Sequence, residues 1–253
     1  MSTPLSSLKR ALNVLDLFSD NHIELGVTEI SRLLKCHKSS ISRVLTTLHS
    51  EGFVEKNPLT GKYRLGIKLV ELGHRALGRF DLKECASPFL EDLATQTNEI
   101  VHLSILDQNE IVYLDKKGKE QILTVATRIG GRYPAHASGM GKVLLSGLSA
   151  EERSRVLSRR PLPRFTPNTI TESSKLLKEL EKVRKQGFAI DSEESFPGIQ
   201  CVAAPIRSGG GEVVAAVSIS VPKQRMGRER IKELTQLVTT TARKISERMK
   251  SIP

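Results

Sequence analysis

The most informative chemical pattern in the chain is a mixture of short hydroxyl side chains and cations between residues 38 and 50. Apolar residues recur there at helical spacing, which predicts a helix with the stripe Ile41, Val44, Leu45 and Leu48. Its other face carries groups that can closely approach phosphates and base edges in a DNA major groove. These candidate DNA contacts are Lys38, Ser39, Ser40, Ser42, Arg43 and Thr46. Because serines at a helix start also serve as N-caps, this helix alone leaves a structural role open.

A second pattern is a glycine-rich helix start. Residues 138–141, Ser-Gly-Met-Gly, open a predicted helix, and free N–H groups at a helix start attract a carboxylate. The two glycines could instead serve close helix packing. The glycine-lysine pair that follows does not make a phosphate loop. That motif needs glycine at 136 and serine or threonine at 143, where the chain has His136 and Val143.

Four polar residues on or near predicted strands could complete a ligand site. Ser218 and Ser220 share one strand face by the period of two, although two hydroxyls on a strand face usually meet solvent. Asp191 follows a strand and could accept hydrogen bonds from a ligand hydroxyl or from the amides of a capped turn. Cys201 lies at a strand start, where an unreactive buried thiol is a simpler interpretation than a nucleophile.

Metal and catalytic chemistry find little support in the sequence. The six histidines show no HxxxH spacing, and the three cysteines are widely separated. We therefore expect no metal site, no other cofactor and no disulfide framework. An enzyme that uses Cys201 with His136 or His102 is the alternative from another class. The chain has no activated-nucleophile motif, so we expect a protein that is not an enzyme.

Three predicted helices and a hairpin position the candidate DNA contacts. A helical stripe runs from Leu8 to Phe18, a short helix starts at Thr28 as a plausible N-cap, and the helix at 38–50 follows a break. Two short alternating segments, 53–56 and 62–65, flank a turn with proline and glycine. A helix-turn-helix followed by a hairpin is a winged helix. The cations expected to face phosphate are Lys56, Lys62 and Arg64.

After a helical connector at 67–80 and a helix at 82–97, the hydrophobic period changes to two. Strands are predicted at 100–106, 111–114, 122–126, 188–191, 201–207 and 213–221. Helices are predicted at 139–148, 150–158, 172–186 and 228–249. This order predicts an α+β protein whose second domain is an α/β ligand-binding module on an antiparallel sheet, of the GAF/PAS kind. The expected domains are a winged helix-turn-helix at 1–66, a linker helix at 67–80 and an effector-binding domain at 81–253.

Composition and charge narrow the function classes. The chain has 253 residues, 38% of them hydrophobic, and no apolar run of about 18 residues, so a membrane span is not expected. The formal net charge is +11, and residues 1–80 carry 12 basic and 7 acidic side chains. This balance favours a polyanionic partner. A membrane surface is disfavoured because no basic helix carries aromatic anchors. We expect a cytoplasmic protein, since the N-terminus has no apolar signal segment.

Several motifs occur together in one order along the chain. They lie at residues 39–45, 134–142, 187–194, 198–205 and 218–220. In these segments the chain resembles IclR-type transcriptional regulators, over nearly its whole length. The resemblance implies a winged-helix reader of double-stranded operator DNA and a ligand-binding domain whose occupancy alters operator binding. It also implies homodimers, often paired into dimers of dimers.

The resemblance further implies a pocket for a small organic acid in the second domain. By resemblance, the pocket is lined by Gly139, Met140, Asp191, Cys201, Ser218 and Ser220, with Ile122 and Val125 as an apolar wall. Asp191 has the same sign as a carboxylate, so we expect it to contact a hydroxyl, a protonated group or backbone. The sequence names neither effector nor operator, and it does not distinguish a repressor from an activator.

Overall fold

A helical unit with a small hairpin forms the N-terminal part of the computed structural model, which describes residues 5–19, 21–77, 82–118, 127–158 and 161–250. The chain divides into two units, Met1–Phe80 and Asp81–Pro253. The elements of the first unit are α1 (Ser6–Asp16), α2 (Val27–Leu34), α3 (Lys38–Ser50), β1 (Val54–Lys56), β2 (Tyr63–Leu65) and α4 (Lys68–Leu77). The α3 bounds and the antiparallel β1–β2 hairpin confirm the predicted winged helix-turn-helix.

The core of this unit forms between the first three helices and the hairpin. Val14, Ile30, Ile41, Leu45 and Val54 are fully buried together. The stripe predicted for α1 is only partly right. Ala11, Leu15 and Phe18 pack against this core, but Leu8 and Leu12 are more than half exposed.

The N-cap predicted for α2 is wrong. The cap is Gly26, two residues before Thr28, and the carboxylate of Glu29 accepts the Gly26 N–H at 2.6 Å. A side chain from the first turn thus satisfies a donor that the helix start leaves open, which makes a hydroxyl cap unnecessary.

The second unit is a six-stranded antiparallel sheet between two layers of helices. Its elements are α5 (Leu82–Thr97), β3 (Ile100–Asp107), β4 (Glu110–Lys117), β5 (Arg132–Pro134), α6 (Gly139–Gly147), α7 (Ala150–Ser158), α8 (Ser173–Gln186), β6 (Ala189–Ser192), β7 (Ile199–Arg207), β8 (Val213–Pro222) and α9 (Arg228–Lys250). The strand order is β5-β4-β3-β8-β7-β6, and all pairs are antiparallel. This architecture confirms the predicted α+β class.

The two faces of the sheet pack against different helices. Helices α5 and α9 contact each other as well as strands β3 and β7, while α6 contacts the strands from β3 to β8 and also α8. Val217, Ile219 and Val221 on β8 are fully buried, and the alternate residue Ala216 belongs to the core around α6. Because strand residues alternate between faces, Ser218 and Ser220 also point towards α6.

Two differences concern the predicted strands. The segment predicted at 122–126, which contains Ile122 and Val125, lies outside the described residues. The sequence also missed β5, which pairs with β4 through Tyr133 opposite Ile111. Three residues that end in a proline are too short for a period-two signal.

Candidate functional site

The exposed face of α3 presents the residues predicted to contact DNA. Lys38, Ser39, Ser42, Arg43 and Thr46 are exposed, while Ser40 is half-buried at the edge of that face. The Thr46 hydroxyl donates to the carbonyl oxygen of Ser42 at 2.9 Å, so its oxygen can still accept hydrogen bonds. Among the residues that the structure describes, neither Lys38 nor Arg43 forms an ion pair. Both cations are therefore available to an external anion.

The cations of the hairpin are held differently. The Lys62 ammonium lies 3.1 Å from the Glu29 carboxylate, and the Arg64 guanidinium lies 2.9 Å from the carboxylate of Glu55. Hydrogen bonds from the Gly26 N–H and from Lys62 lower the pKa of Glu29, so this acid stays ionised. Two of the three wing cations predicted to face phosphate, Lys62 and Arg64, are thus already paired within their own unit, while the ammonium of the third, Lys56, lies 5.8 Å from the Tyr63 ring centroid. They remain partly exposed, so a phosphate can compete for them.

The tip of the hairpin is ordered by side-chain hydrogen bonds. The Asn57 side-chain oxygen accepts the N–H of Leu59 at 2.9 Å, and its amide group donates to Glu24 at 2.9 Å. Glu24 also accepts the Thr60 hydroxyl at 3.2 Å. These contacts tie the turn to the segment before α2, which fixes the wing beside the recognition helix.

In the second unit, strand register brings three of the predicted pocket residues into one row of the sheet and a fourth, Ser218, into the neighbouring row. Asp191 pairs with Cys201, and Cys201 pairs with Ser220. Ser218 pairs with His102 on the next strand. Directly paired residues share a sheet face, so all these side chains point towards α6. The alternative in which hydroxyls on a strand face meet solvent does not hold for Ser218, which is only 1% exposed, and Ser220 is half-buried.

These side chains line one small cavity that is partly open to solvent. Six of the predicted pocket residues meet there, namely Gly139, Met140, Asp191, Cys201, Ser218 and Ser220. Ser138 and Ile199, which lie in the motifs at 134–142 and 198–205, also line the cavity, as does His102, which was considered only as a catalytic partner of Cys201. The other lining side chains are scattered along the chain and lie in no motif. They are Tyr113, Thr127, Ser195 and Phe196.

The start of α6 forms one wall of the cavity. Ser138 is the N-cap, and its hydroxyl oxygen accepts the Gly141 N–H at 3.0 Å. Within the described part of the chain, the N–H groups of Gly139 and Met140 have no backbone or side-chain acceptor. The positive end of the helix dipole and two open donors thus lie at the wall of this cavity.

The polar side chains of the cavity divide into partnered and unpartnered groups. The His102 ring lies 2.7 Å from the Thr127 hydroxyl and 3.4 Å from the Ser220 hydroxyl, which lies 3.3 Å from the Cys201 sulfur. By contrast, the hydroxyls of Ser218 and Tyr113 make no hydrogen bond within the described residues. Neither hydroxyl oxygen is fully enclosed, so both can form hydrogen bonds with a polar ligand that enters the cavity.

Asp191 is buried beside a second acid. Its carboxylate accepts the Glu194 N–H at 2.6 Å, which is the capped turn considered from the sequence. Burial, and then the negative charge of Glu194, raises the pKa of Asp191 to about 6. The only ammonium in this part of the described structure belongs to Lys142. It donates to the Ile190 carbonyl oxygen at 2.7 Å and pairs with Glu194.

The groups considered for nucleophilic catalysis are in unsuitable states. Burial raises the pKa of the Cys201 thiol, and the nearby charge of Asp191 adds to that effect. Burial lowers the pKa of His102 to about 3, so its ring is neutral. His136 lies 3.0 Å from the Pro163 carbonyl oxygen and does not line this cavity. No cluster of metal-ligating side chains occurs in the residues that the structure describes.

The fold and these two surfaces define a class of protein: a winged-helix DNA-binding unit joined to a separate unit with a small-molecule cavity. Residues 7–58 match the IclR helix-turn-helix domain, and residues 74–247 match the C-terminal domain of bacterial IclR transcriptional regulators. The chain therefore belongs to the IclR family of DNA-binding transcriptional regulators. No described helix is long and apolar enough to span a bilayer.

Individual relatives agree with this assignment. The chain is 40% identical to the HTH-type transcriptional regulator XynR of Escherichia coli K12 over 222 residues, which cover 88% of each protein. It is 37% identical to the regulator KdgR of the same organism over 245 residues, covering 97% of this chain and 93% of KdgR. It also superposes on an IclR homolog from Microbacterium hydrocarbonoxydans complexed with 4-hydroxybenzoate. That match has a TM-score of 0.88 and 29% identity, covering 97% of this chain and 100% of the homolog.

Proposed function

We propose that a small organic carboxylic acid binds in the cavity beside α6 and thereby modulates operator binding. The observation that carries this proposal is the meeting of two open N–H groups, from Gly139 and Met140, with the unpartnered hydroxyls of Ser218 and Tyr113. Such donors suit an anion with further polar groups. The homolog crystallised with 4-hydroxybenzoate supports the same class of effector.

A thermal-shift screen tests the effector class. A panel of carboxylic acids that includes 4-hydroxybenzoate is compared with the corresponding amides, because a bound ligand stabilises the folded protein by mass action. We expect acids to raise the melting temperature more than their amides. A panel in which no acid shifts the melting temperature, or in which amides match their acids, contradicts the proposal.

Calorimetric titration of variants tests the site. The double variant Ser218→Ala/Ser220→Ala removes two hydroxyls from the cavity and should weaken binding of the most stabilising acid. Ser154→Ala, which removes an exposed hydroxyl on α7, is the matched control and should bind as wild type does. Undiminished affinity in the double variant places the acid elsewhere.

The acid can change operator affinity only if it binds two conformations of the protein with different affinities. The resulting coupling free energy is typically about 1–3 kcal/mol. The linker at 67–80, which includes α4, connects the two units in sequence. The conformational change must therefore reach the DNA-binding unit through this linker. The simplest result is a changed spacing of the two winged helices in a homodimer. Fluorescence anisotropy on operator DNA with and without the acid measures this coupling. Equal operator affinity in both conditions contradicts regulation by the acid.

The protein's oligomeric state and cellular location are also part of the proposal. We propose a homodimer, or a dimer of dimers, that binds pseudo-palindromic half-sites in the cytoplasm. One winged helix covers too little DNA for tight, specific binding, and a two-fold axis supplies a second reader. A catalytic role is disfavoured because the Cys201 thiol stays protonated next to a neutral His102. Turnover of any bound acid would contradict the absence of a catalytic role.

A further inference from the structure

A carboxylate in the proposed cavity meets an acid of the same charge, Asp191. This side chain is 2% exposed and lines the cavity together with Gly139 and Met140. The Glu194 N–H holds its carboxyl group in place from the side of the turn. Asp191 therefore cannot swing out to solvent when an anionic ligand enters.

The charges around Asp191 do not balance. Glu194 is buried beside it, and one of its carboxylate oxygens has no hydrogen-bond partner within the described structure. The single buried ammonium, that of Lys142, is shared by Glu194 at 2.5 Å and Glu179 at 3.8 Å. The acids therefore outnumber the cation before any ligand arrives.

The other titratable groups around Asp191 do not supply the missing positive charge. His102 on β3 is neutral. The Lys116 ammonium on β4 lies 3.5 Å from the Thr127 carbonyl oxygen and is not among the charges that shift the pKa of Asp191. The remaining neighbours are uncharged phenol and thiol groups on β4, β5 and β7, namely Tyr113, Tyr133 and Cys201. The open N–H groups of α6 can bind a third negative charge here, but they do not remove its repulsion with Asp191 and Glu194.

We propose that the effector carboxylate binds together with one proton, which resides on Asp191 and turns this residue into a hydrogen-bond donor to the effector. The inference rests on the proposed function and adds a regulation to it, because effector affinity then depends on pH. Hydronium or protonated buffer supplies the proton, and its bond to that hydrogen breaks as the O–H bond on Asp191 forms. A protonated carboxyl group has a donor that an ionised one lacks, so repulsion is replaced by a hydrogen bond.

The size of the effect follows from the ligand-free protein. Burial and the charge of Glu194 already raise the pKa of Asp191 to about 6, so the competent, protonated form is in the minority at pH 7. The apparent dissociation constant rises as that fraction falls. For an acid that stays ionised throughout, we expect binding to be about 50-fold weaker at pH 8 than at pH 6.

Calorimetric titration with 4-hydroxybenzoate, and with the most stabilising acid of the thermal-shift panel, counts the proton directly. The apparent enthalpy is measured at pH 7.5 in phosphate and in Tris, whose ionisation enthalpies differ. The difference gives the number of protons taken up, and we expect close to one per bound acid. Uptake near zero with clear binding overturns the inference and leaves the proposed function standing. Absence of binding by every acid removes both.

Two variants assign the proton to Asp191. Asp191→Asn keeps the acceptor for the Glu194 N–H and should bind the acid without proton uptake and with little pH dependence. Glu212→Gln removes an exposed acid and should behave as wild type does. Carbon-detected NMR of the Asp191 carboxyl group in ligand-free protein is an independent measurement that does not need the variant. A midpoint near pH 6 supports the inference, and a midpoint near 4 overturns it.

Discussion

We propose Arg43 as the leading candidate for contact with the operator. It lies on the exposed face of α3, without an ion-pair partner among the described residues, so no internal contact must be broken before it meets DNA. We expect Arg43→Ala to lose about 1–3 kcal/mol of operator affinity if the guanidinium binds one base through two hydrogen bonds. Fluorescence anisotropy at constant salt measures this loss. Arg184→Ala, on α8 of the other unit, is the control for the loss of one positive charge. Equal affinity of Arg43→Ala and wild type would show that Arg43 is not a reader.

Lys62 and Arg64 in the wing should behave differently from Arg43, because each already has an ion-pair partner. Arg64→Ala should weaken binding to all sequences alike and reduce the slope of log affinity against log salt by about one, as should Lys62→Ala. Glu55→Gln frees Arg64 from its partner at 2.9 Å and should strengthen binding about two- to fivefold, the range expected for an exposed ion pair. The gain should vanish in an Arg64→Ala background. An unchanged salt slope in Arg64→Ala would place the wing away from phosphate.

Asp191 should make stability depend on pH in a definite direction. Its pKa in the folded protein, about 6, is above the ordinary value of 3.8, so the folded state holds the proton more tightly. The stabilisation from this proton is therefore present below pH 4 and is lost as pH rises through 6. At pH 8 the loss amounts to about 3 kcal/mol at most. Asp191→Asn should be more stable than wild type at pH 8, with the difference shrinking towards pH 4, as measured by urea unfolding. Equal stability at pH 8 would refute the raised pKa.

At the scale of single residues, the sequence predicted what periodicity and motif can show. The period of two placed Ser218 and Ser220 on one face, but the covering helix α6 that buries that face is a long-range contact. Tyr113 lines the same cavity without any local signal. Lys142 is fully buried, although lysine side chains are usually exposed to solvent. Its buried partner, Glu194, is 52 residues away, so no local pattern in the sequence indicates the pair. Pairings across such distances depend on tertiary packing rather than on spacing.

At the scale of elements, the two glycines at the start of α6 are expected to have different roles. Gly141 is needed for close packing, and Gly139 lines the cavity. A Cβ atom at Gly141 would lie 2.0 Å from the Ala135 carbonyl oxygen, so Gly141→Ala should lower the free energy of unfolding by about 1–3 kcal/mol. A Cβ atom at Gly139 would lie 3.5 Å from Ala203 and 3.6 Å from Asp191, which is ordinary contact. Gly139→Ala should therefore fold normally and lose acid binding, because its methyl group obstructs the open N–H. Thermal unfolding and calorimetric titration of both variants check this contrast. Normal acid binding by folded Gly139→Ala would remove this wall from the site.

Elements with strong periodicity agreed best with their predictions. Helix α3 has the predicted bounds, because its apolar stripe and the residues around it are consistent with each other. The α2 cap failed because a carboxylate three residues into the helix can replace a hydroxyl cap. The α1 stripe failed in part because Leu8 and Leu12 are apolar without facing the core of their own unit. Apolar spacing predicts a helix, but it does not say which partner covers it.

The exposed leucines on α1 bear on the assembly of the whole molecule. Leu5, Leu8 and Leu12 are 71%, 57% and 54% exposed, and their spacing of three and four residues places them on one side of the helix. A second copy of the chain is the occupant we expect, because a dimer supplies the second winged helix that a palindromic operator needs. Leu8→Asp/Leu12→Asp should therefore weaken the dimer and bind operator less tightly. Light scattering gives the mass, and anisotropy gives the affinity.

Leu177→Asp, an exposed leucine on α8, is the control and should change neither. A wild-type monomer at micromolar concentration that still binds operator specifically would contradict the dimer. An aspartate double variant with unchanged mass would place the dimer contact on another surface.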